Sequence, residues 1–327
     1  MHTKQLVTFR RLVLLTIALI YLVILAGAVV RGTGSGMGCP DWPKCFGTWI
    51  PPTDISELPS DYKEKFKVGY HHIADFNPVK TWIEYLNRLL GAVVGLSVIL
   101  NLVYSYKLFS EAKLLFVVSL LIVLFTGFQG WIGARVVASN LSEYMITIHM
   151  FIALLILSLA IFLLYKIPTR DSEKPIIKVR FSYFLFGLTV LTLIQVLVGT
   201  QVRQEIDSIS ILHNESNREL WIDLLSEMFT LHRVIAIFVI VLNLVVCYYY
   251  CKQNGFKTIE SKLLMLITST LFLEYLIGIV MVRFSFPFLS QPLHLLLATI
   301  VYGLQFYFWL SVTNFRQSVV LNTVSLN

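Results

Sequence analysis

Eight apolar runs, each about the length that a helix needs to cross a bilayer, constrain this chain more than any other feature. A spanning helix takes about 20 mostly apolar residues. Such runs lie near 11–30, 86–106, 113–136, 144–165, 181–202, 229–250, 262–282 and 291–313. They are rich in Leu, Ile, Val and Phe without period-two alternation, which favours helices over a transmembrane β-barrel. The fold class expected is therefore an all-α integral membrane protein with eight transmembrane helices. Charged residues make up only 14% of the 327 residues and apolar ones 57%. Soluble domains carry about 25% charged residues, so a soluble globule and a disordered chain are excluded. The first run follows Arg10-Arg11 and is longer than the apolar region of a signal peptide, so it reads as a span.

The net charge is +7. In a membrane protein such an excess orients the spans, and no nucleic-acid partner is needed to explain it. With the N-terminus inside, inner segments hold Lys4, Arg10, Arg11, Lys107, Lys113, Lys166, Arg170, Lys174, Lys178, Arg180, Lys252, Lys257, Lys262 and Arg316. The short outer loops at 138–143 and 284–290 have no Lys or Arg. Both termini are expected on the cytoplasmic side.

Polar landmarks recur in the same order in the two halves. Gly27-Ala-Val-Val-Arg31 ends span one and Gly199-Thr-Gln-Val-Arg203 ends span five. Asn87-Arg88 opens span two, and His232-Arg233 opens span six. Phe128-Gln-Gly-Trp-Ile-Gly133 in span three answers Leu273-Glu-Tyr-Leu-Ile-Gly278 in span seven. His149 and His294 sit early in spans four and eight. Each half has an even number of spans, so this is a parallel repeat of two four-helix bundles about an axis along the membrane normal. The expected division is 1–166, with a long outer loop at 31–82, a cytoplasmic linker at 167–180, and 181–327.

Ionisable residues within spans are costly and point to function. His149, His232 and His294 lie at one depth on helices descending from the outer face. Imidazoles converging at one depth suit a flat metallocofactor, and an apolar bundle suits haem. Zinc would require a tetrahedral Cys/His set, which the sequence does not offer. His232 and His294 are the expected bis-His pair. Arg88, Arg233, Arg31 and Arg203 stand near the outer ends of spans, where guanidinium groups can grip haem propionates in bidentate fashion or simply reach the interface.

The stretch Arg31-Gly-Thr-Gly-Ser-Gly-Met-Gly-Cys39-Pro-Asp-Trp-Pro-Lys-Cys45 is similar to the first outer loop of haem A synthases. Glu84-Tyr-Leu-Asn87-Arg88 resembles that family's Glu-x-x-His-Arg motif, and the resemblance covers nearly the whole chain. It implies oxidation of the C8 methyl group of haem O to a formyl group, giving haem A for terminal oxidases. It further implies a haem b cofactor in the C-terminal half held by His232 and His294. The haem O substrate would sit in the N-terminal half at His149, with Glu84 as the catalytic acid. Implied partners are haem O, haem O synthase, an electron acceptor and the lipid bilayer; a homo-oligomer stays open.

Asn87 departs from the pattern, which has His at that position. Two readings follow. His149 alone holds the substrate haem and leaves one axial face open, or His71 or His72 folds back as a replacement. Cys39 and Cys45 lie in an outer loop, where an oxidising compartment permits a disulfide; the family pattern implies a structural or redox pair. Cys247 and Cys251, at the inner end of span six, read as inert thiols. Glu274 in span seven reads as a structural hydrogen bonder. Two rivals remain: a bis-His electron-transfer cytochrome of b type, and a transporter built on the same repeat. The location expected is a bacterial inner membrane, because no transit peptide precedes span one.

Overall fold

The apolar runs fold as eight long helices in a computed structural model that describes residues 2–67, 75–139, 141–167, 179–213, 216–287 and 289–313. They are α1 (His2–Gly32), α2 (Pro78–Tyr106), α3 (Lys113–Ala138), α4 (Glu143–Lys166), α5 (Val179–Leu212), α6 (Glu227–Asn254), α7 (Ile259–Arg283) and α8 (Ser290–Val312). All eight are long and apolar enough to cross a membrane. Large apolar side chains also cover the outward faces: Leu96, Leu124, Phe238 and Phe272 are all exposed. A water-soluble helix would bury that stripe and expose charge; here lipid is the solvent.

Local chemistry sets the ends. Asn77 caps α2, its side chain accepting from Lys80 N, and Pro78 occupies the first turn, where its missing N–H costs nothing. Ser226 caps α6 and Thr258 caps α7 in the same way. Gly255, at φ +79°, stops α6.

Helices α1 to α4 pack in sequence, and α1 closes on α4; α5 to α8 pack in sequence, and α5 closes on α8. The two rings meet where α8 lies against α1 and α4, and where α4 meets α5. That seam carries a hydrogen bond of 2.7 Å between Ser158 and Tyr302. Gly303 also lies there, and the Tyr21 hydroxyl occupies the space a Cβ would fill.

Three helices differ from their sequence spans: α1 starts at His2, nine residues before the expected 11. Helix α5 runs ten residues past the expected end at 202. The added turns keep a buried apolar face, with Val202, Ile206 and Ile209 packed against Trp221 and Phe286, and Gln204 is buried beside them. Helix α2 starts at Pro78 rather than near 86, which puts Glu84 within the helix. The linker residues 168–178, together with His71, His72 and Arg316, lie outside the described residues.

The first outer loop folds over the start of α2. Cys39 and Cys45 are joined by a disulfide with Cα atoms 4.8 Å apart, and both are fully buried. Phe46 stacks edge-on against Phe66 and Phe76, with centroids 5.5 and 5.6 Å apart. Gly38 makes the docking possible. A Cβ there would stand 2.6 Å from the Lys80 carbonyl oxygen, inside contact distance of a backbone that cannot yield.

Candidate haem sites

In the C-terminal ring, α6 and α8 bring His232 and His294 side by side in an edge-on arrangement. Their ring centroids lie 6.4 Å apart, with planes inclined at 68°. Two imidazoles on opposite sides of one metal atom place their centres roughly 6 Å apart, from about 2 Å per metal–nitrogen bond and about 1 Å from nitrogen to ring centre. The pair therefore has the spacing that a bis-His metal centre needs. Nδ1 of His294 lies 3.1 Å from the Glu274 backbone oxygen. A carbonyl only accepts, so this contact places a proton on Nδ1 and leaves Nε2 with the free lone pair. Gln195 on α5 holds His232: its Nε2 donates to the His232 carbonyl at 3.0 Å and lies 3.1 Å from Nδ1.

The N-terminal ring has the same frame with other groups. Gln129 on α3 donates to the His149 carbonyl on α4 at 2.9 Å. Nδ1 of His149 and Oδ1 of Asn87 are buried with no hydrogen-bond partner among the described residues. Each calls for a hydrogen-bond partner that the described residues do not supply.

Glycines line up with all four positions. A Cβ on Gly199 would approach His232 Cε1 at 3.1 Å, on Gly133 His149 Cε1 at 3.4 Å, on Gly278 His294 Cε1 at 3.7 Å, and on Gly27 Asn87 Oδ1 at 3.8 Å. Each odd-numbered helix thus offers a glycine notch against which the next helix lays a His or Asn side chain.

Glu84 is buried beside the first site and is fully engaged. Its Oε2 accepts the Cys39 N–H at 2.9 Å, and Oε1 accepts from Arg88 at 2.5 Å. Arg88 also donates to the carbonyls of Cys39, Asp41 and Lys44 at 2.7, 2.5 and 3.0 Å. Its guanidinium therefore ties the disulfide loop to α2. The repeat position is different: Arg233 lies over the Phe229 ring, 5.5 Å from its centroid, and Phe229 stands where Glu84 stands in the first half.

A family model described as COX15-CtaA, cytochrome oxidase assembly protein, matches residues 10–306. The chain belongs to this family. Similar members include the haem A synthase of Geobacillus kaustophilus, 30% identical over 198 residues, covering 58% of this chain and 53% of that protein. The haem A synthase of Bartonella tribocorum is 24% identical over 308 residues, covering 85% of each chain. That of Shouchella clausii is 27% identical over 203 residues, covering 59% of this chain and 58% of that protein. The first and third matches thus span little more than half of those relatives.

In this family member, some residues beside the candidate sites escaped sequence reasoning. Asp207 is one. It lies in the extension of α5 and bonds both Arg31 and Arg203. The sequence reading ended the span at 202, so no helix face placed Asp207 beside them. The notch glycines carried a visible signal: all four lie within the repeated motifs, Gly27 and Gly199 four residues before an arginine, Gly133 and Gly278 at the end of the second motif. Among the described residues, no cluster of three or more His, Cys, Asp or Glu side chains is arranged to hold a bare metal ion.

Proposed function

We infer that this protein is a haem A synthase, a multi-pass membrane oxidoreductase that converts the C8 methyl group of haem O into a formyl group. The observation that carries the reading is an asymmetry between two similarly framed sites. The second has two imidazoles side by side and Phe229. The first has one imidazole, the Asn87 amide and the buried Glu84 carboxylate. A cofactor haem suits the symmetric site, and a substrate that must react suits the open one. His232 and His294 are accordingly assigned to haem b, and His149 with Asn87 to haem O. The open-face form of the substrate site is the one adopted here, because an amide is a poor iron ligand beside imidazole and Asn87 Oδ1 is left without a partner among the described residues.

Bound haem supplies the electron-transfer chemistry. The protein's share is placement and proton handling. Turning a methyl into a formyl group with water as the oxygen source releases four protons and four electrons. The electrons pass to an external acceptor. Glu84 is the carboxylate poised to take a proton at Oε1 or Oε2, and Arg88 compensates its charge in a low-dielectric setting. The Cys39–Cys45 loop seals that corner from outer water. The disulfide is assigned a structural part, stiffening the segment whose Cys39 N–H holds Glu84. Arg88 is occupied by this loop, so Arg31, Arg203 and Arg233 are the better candidates for propionates.

The helix packing supports a division into bundles at 1–166 and 181–327 related by the repeat. The run of basic residues at one end of the helices supports cytoplasmic termini, and the disulfide at the other end supports an oxidising outer compartment. A bacterial inner membrane fits both. A pyridine haemochrome assay on the purified protein tests the reading. Haem b together with haem O or haem A is expected. Haem b alone would favour an electron-transfer cytochrome, and no haem would refute both.

A further inference from the structure

We propose that Asp207 is a shared counter-charge that couples the two haem sites, so that the grip of each site on a carboxylate depends on the arginine of the other. The inference rests on the two-site reading above.

The geometry starts at the glycine notches. Gly199 faces His232, and Arg203 lies four residues on, one turn outward on the same helix face. Gly27 faces Asn87, and Arg31 lies one turn outward in the same relation. Each arginine therefore stands about 6 Å outward of its own site, from four residues at 1.5 Å rise. That is the rim where the carboxylates of an edge-on haem would emerge.

The two arginines belong to different halves, yet they share one acid. Arg31 donates to Asp207 Oδ2 through Nε at 2.8 Å and Nη2 at 2.7 Å. Arg203 Nη2 reaches Oδ1 at 2.7 Å and also donates to the Arg31 carbonyl at 3.1 Å. The offset that aligns Arg31 with Arg203 pairs Asp207 with Ser35, so the acid occurs once. The hydrogen-bonded set of two guanidinium groups and one carboxylate carries one positive charge, and the Arg218 guanidinium stands near enough to Arg203 to add to it. A single further carboxylate, as in a haem propionate, completes the set.

The coupling follows from the sharing of Asp207 between the two arginines. With both arginines present, Asp207 divides its interaction, and Arg203 keeps positive charge for a ligand. Removing Arg31 gives Asp207 wholly to Arg203 and quenches it. The C-terminal site would then lose its preference for a carboxylate ligand, although Arg31 lies in the other half.

The full-length protein in detergent, stripped of haem, can be titrated with iron protoporphyrin and with its dimethyl ester. The low-spin bis-His spectrum reports the C-terminal site. The wild type is expected to prefer the diacid by about tenfold, the worth of one charge-assisted hydrogen bond. R31Q should reduce that preference to roughly twofold, and the double variant R31Q/D207N should restore it by freeing Arg203. An R31Q protein that keeps the wild-type preference would overturn the proposal, as would a wild type that binds the two haems equally. A wild type that never develops the bis-His spectrum would instead refute the assignment of His232 and His294.

Discussion

Gly199 and His232 stand so close that a methyl group on the glycine would lie 3.1 Å from the imidazole Cε1. At that distance the ring must give by a few tenths of an ångström. Gly199→Ala should therefore displace the His232 ring, at a cost of about 1–3 kcal/mol for overpacking. Gly278→Ala, with 3.7 Å to His294, meets only ordinary contact. Haem b content and the low-spin electron paramagnetic resonance signal should shift in the first variant and hold in the second. Equal behaviour would remove the notch from the account.

Glu84 is held by two donors from different segments, Cys39 N–H and Arg88. Glu84→Ala should keep haem b, because His232 and His294 lie in the other ring, while haem A formation stops. Glu84→Gln keeps the shape and loses the proton acceptor, so it should be nearly as inactive. Turnover near the wild-type rate in either variant would refute the proton role.

Arg88 makes four bonds into the loop and to Glu84. Arg88→Ala would leave several carbonyls and a buried carboxylate unmet, each worth about 1–3 kcal/mol. The 39–48 segment should open, seen as faster deuterium exchange at the Phe46 and Gly47 amides, which Asp41 now holds at 2.6 and 2.8 Å. Unchanged exchange there would show that the disulfide alone keeps the loop closed.

Much of this was legible in the sequence, for identifiable reasons. Apolar runs of bilayer length announce spans whatever their neighbours do, so all eight helices were visible. His232 and His294 stood out because an ionisable group inside a span is expensive. Asp207 did not, because hydropathy falls after Val202 while the helix continues on one buried face, Val202, Ile206 and Ile209. Arg88 looked like a propionate partner from its position at the outer end. Only the folded loop shows its guanidinium committed to the carbonyls of Cys39, Asp41 and Lys44. The four notch glycines stood in the repeated motifs, but that each faces a His or Asn of the next helix shows only in the packing.

The outer loop also carries a pH signature. Hydrogen bonds from Ser56 to Asp54, and from Thr53 to Glu57, hold both carboxyls below their ordinary range. A carboxyl whose folded pKa is depressed contributes stability above its unfolded pKa and loses it as pH falls through the folded value. The capping box at 54–57 should thus stay ordered at neutral pH and fray on acidification below the carboxylate range. Amide exchange at Ser56 and Glu57, corrected for intrinsic rates, reads this directly; protection that is flat with pH would contradict it.

The central claim is that two unlike haem sites, one a cofactor site and one a substrate site, act together on a methyl group. Coexpression with a source of haem O, followed by extraction and separation of the haems, tests it most directly. The account predicts haem A with the wild type, and only haem b and unconverted haem O with Glu84→Ala. Haem O left unconverted by a wild-type protein that carries its haem b would contradict it.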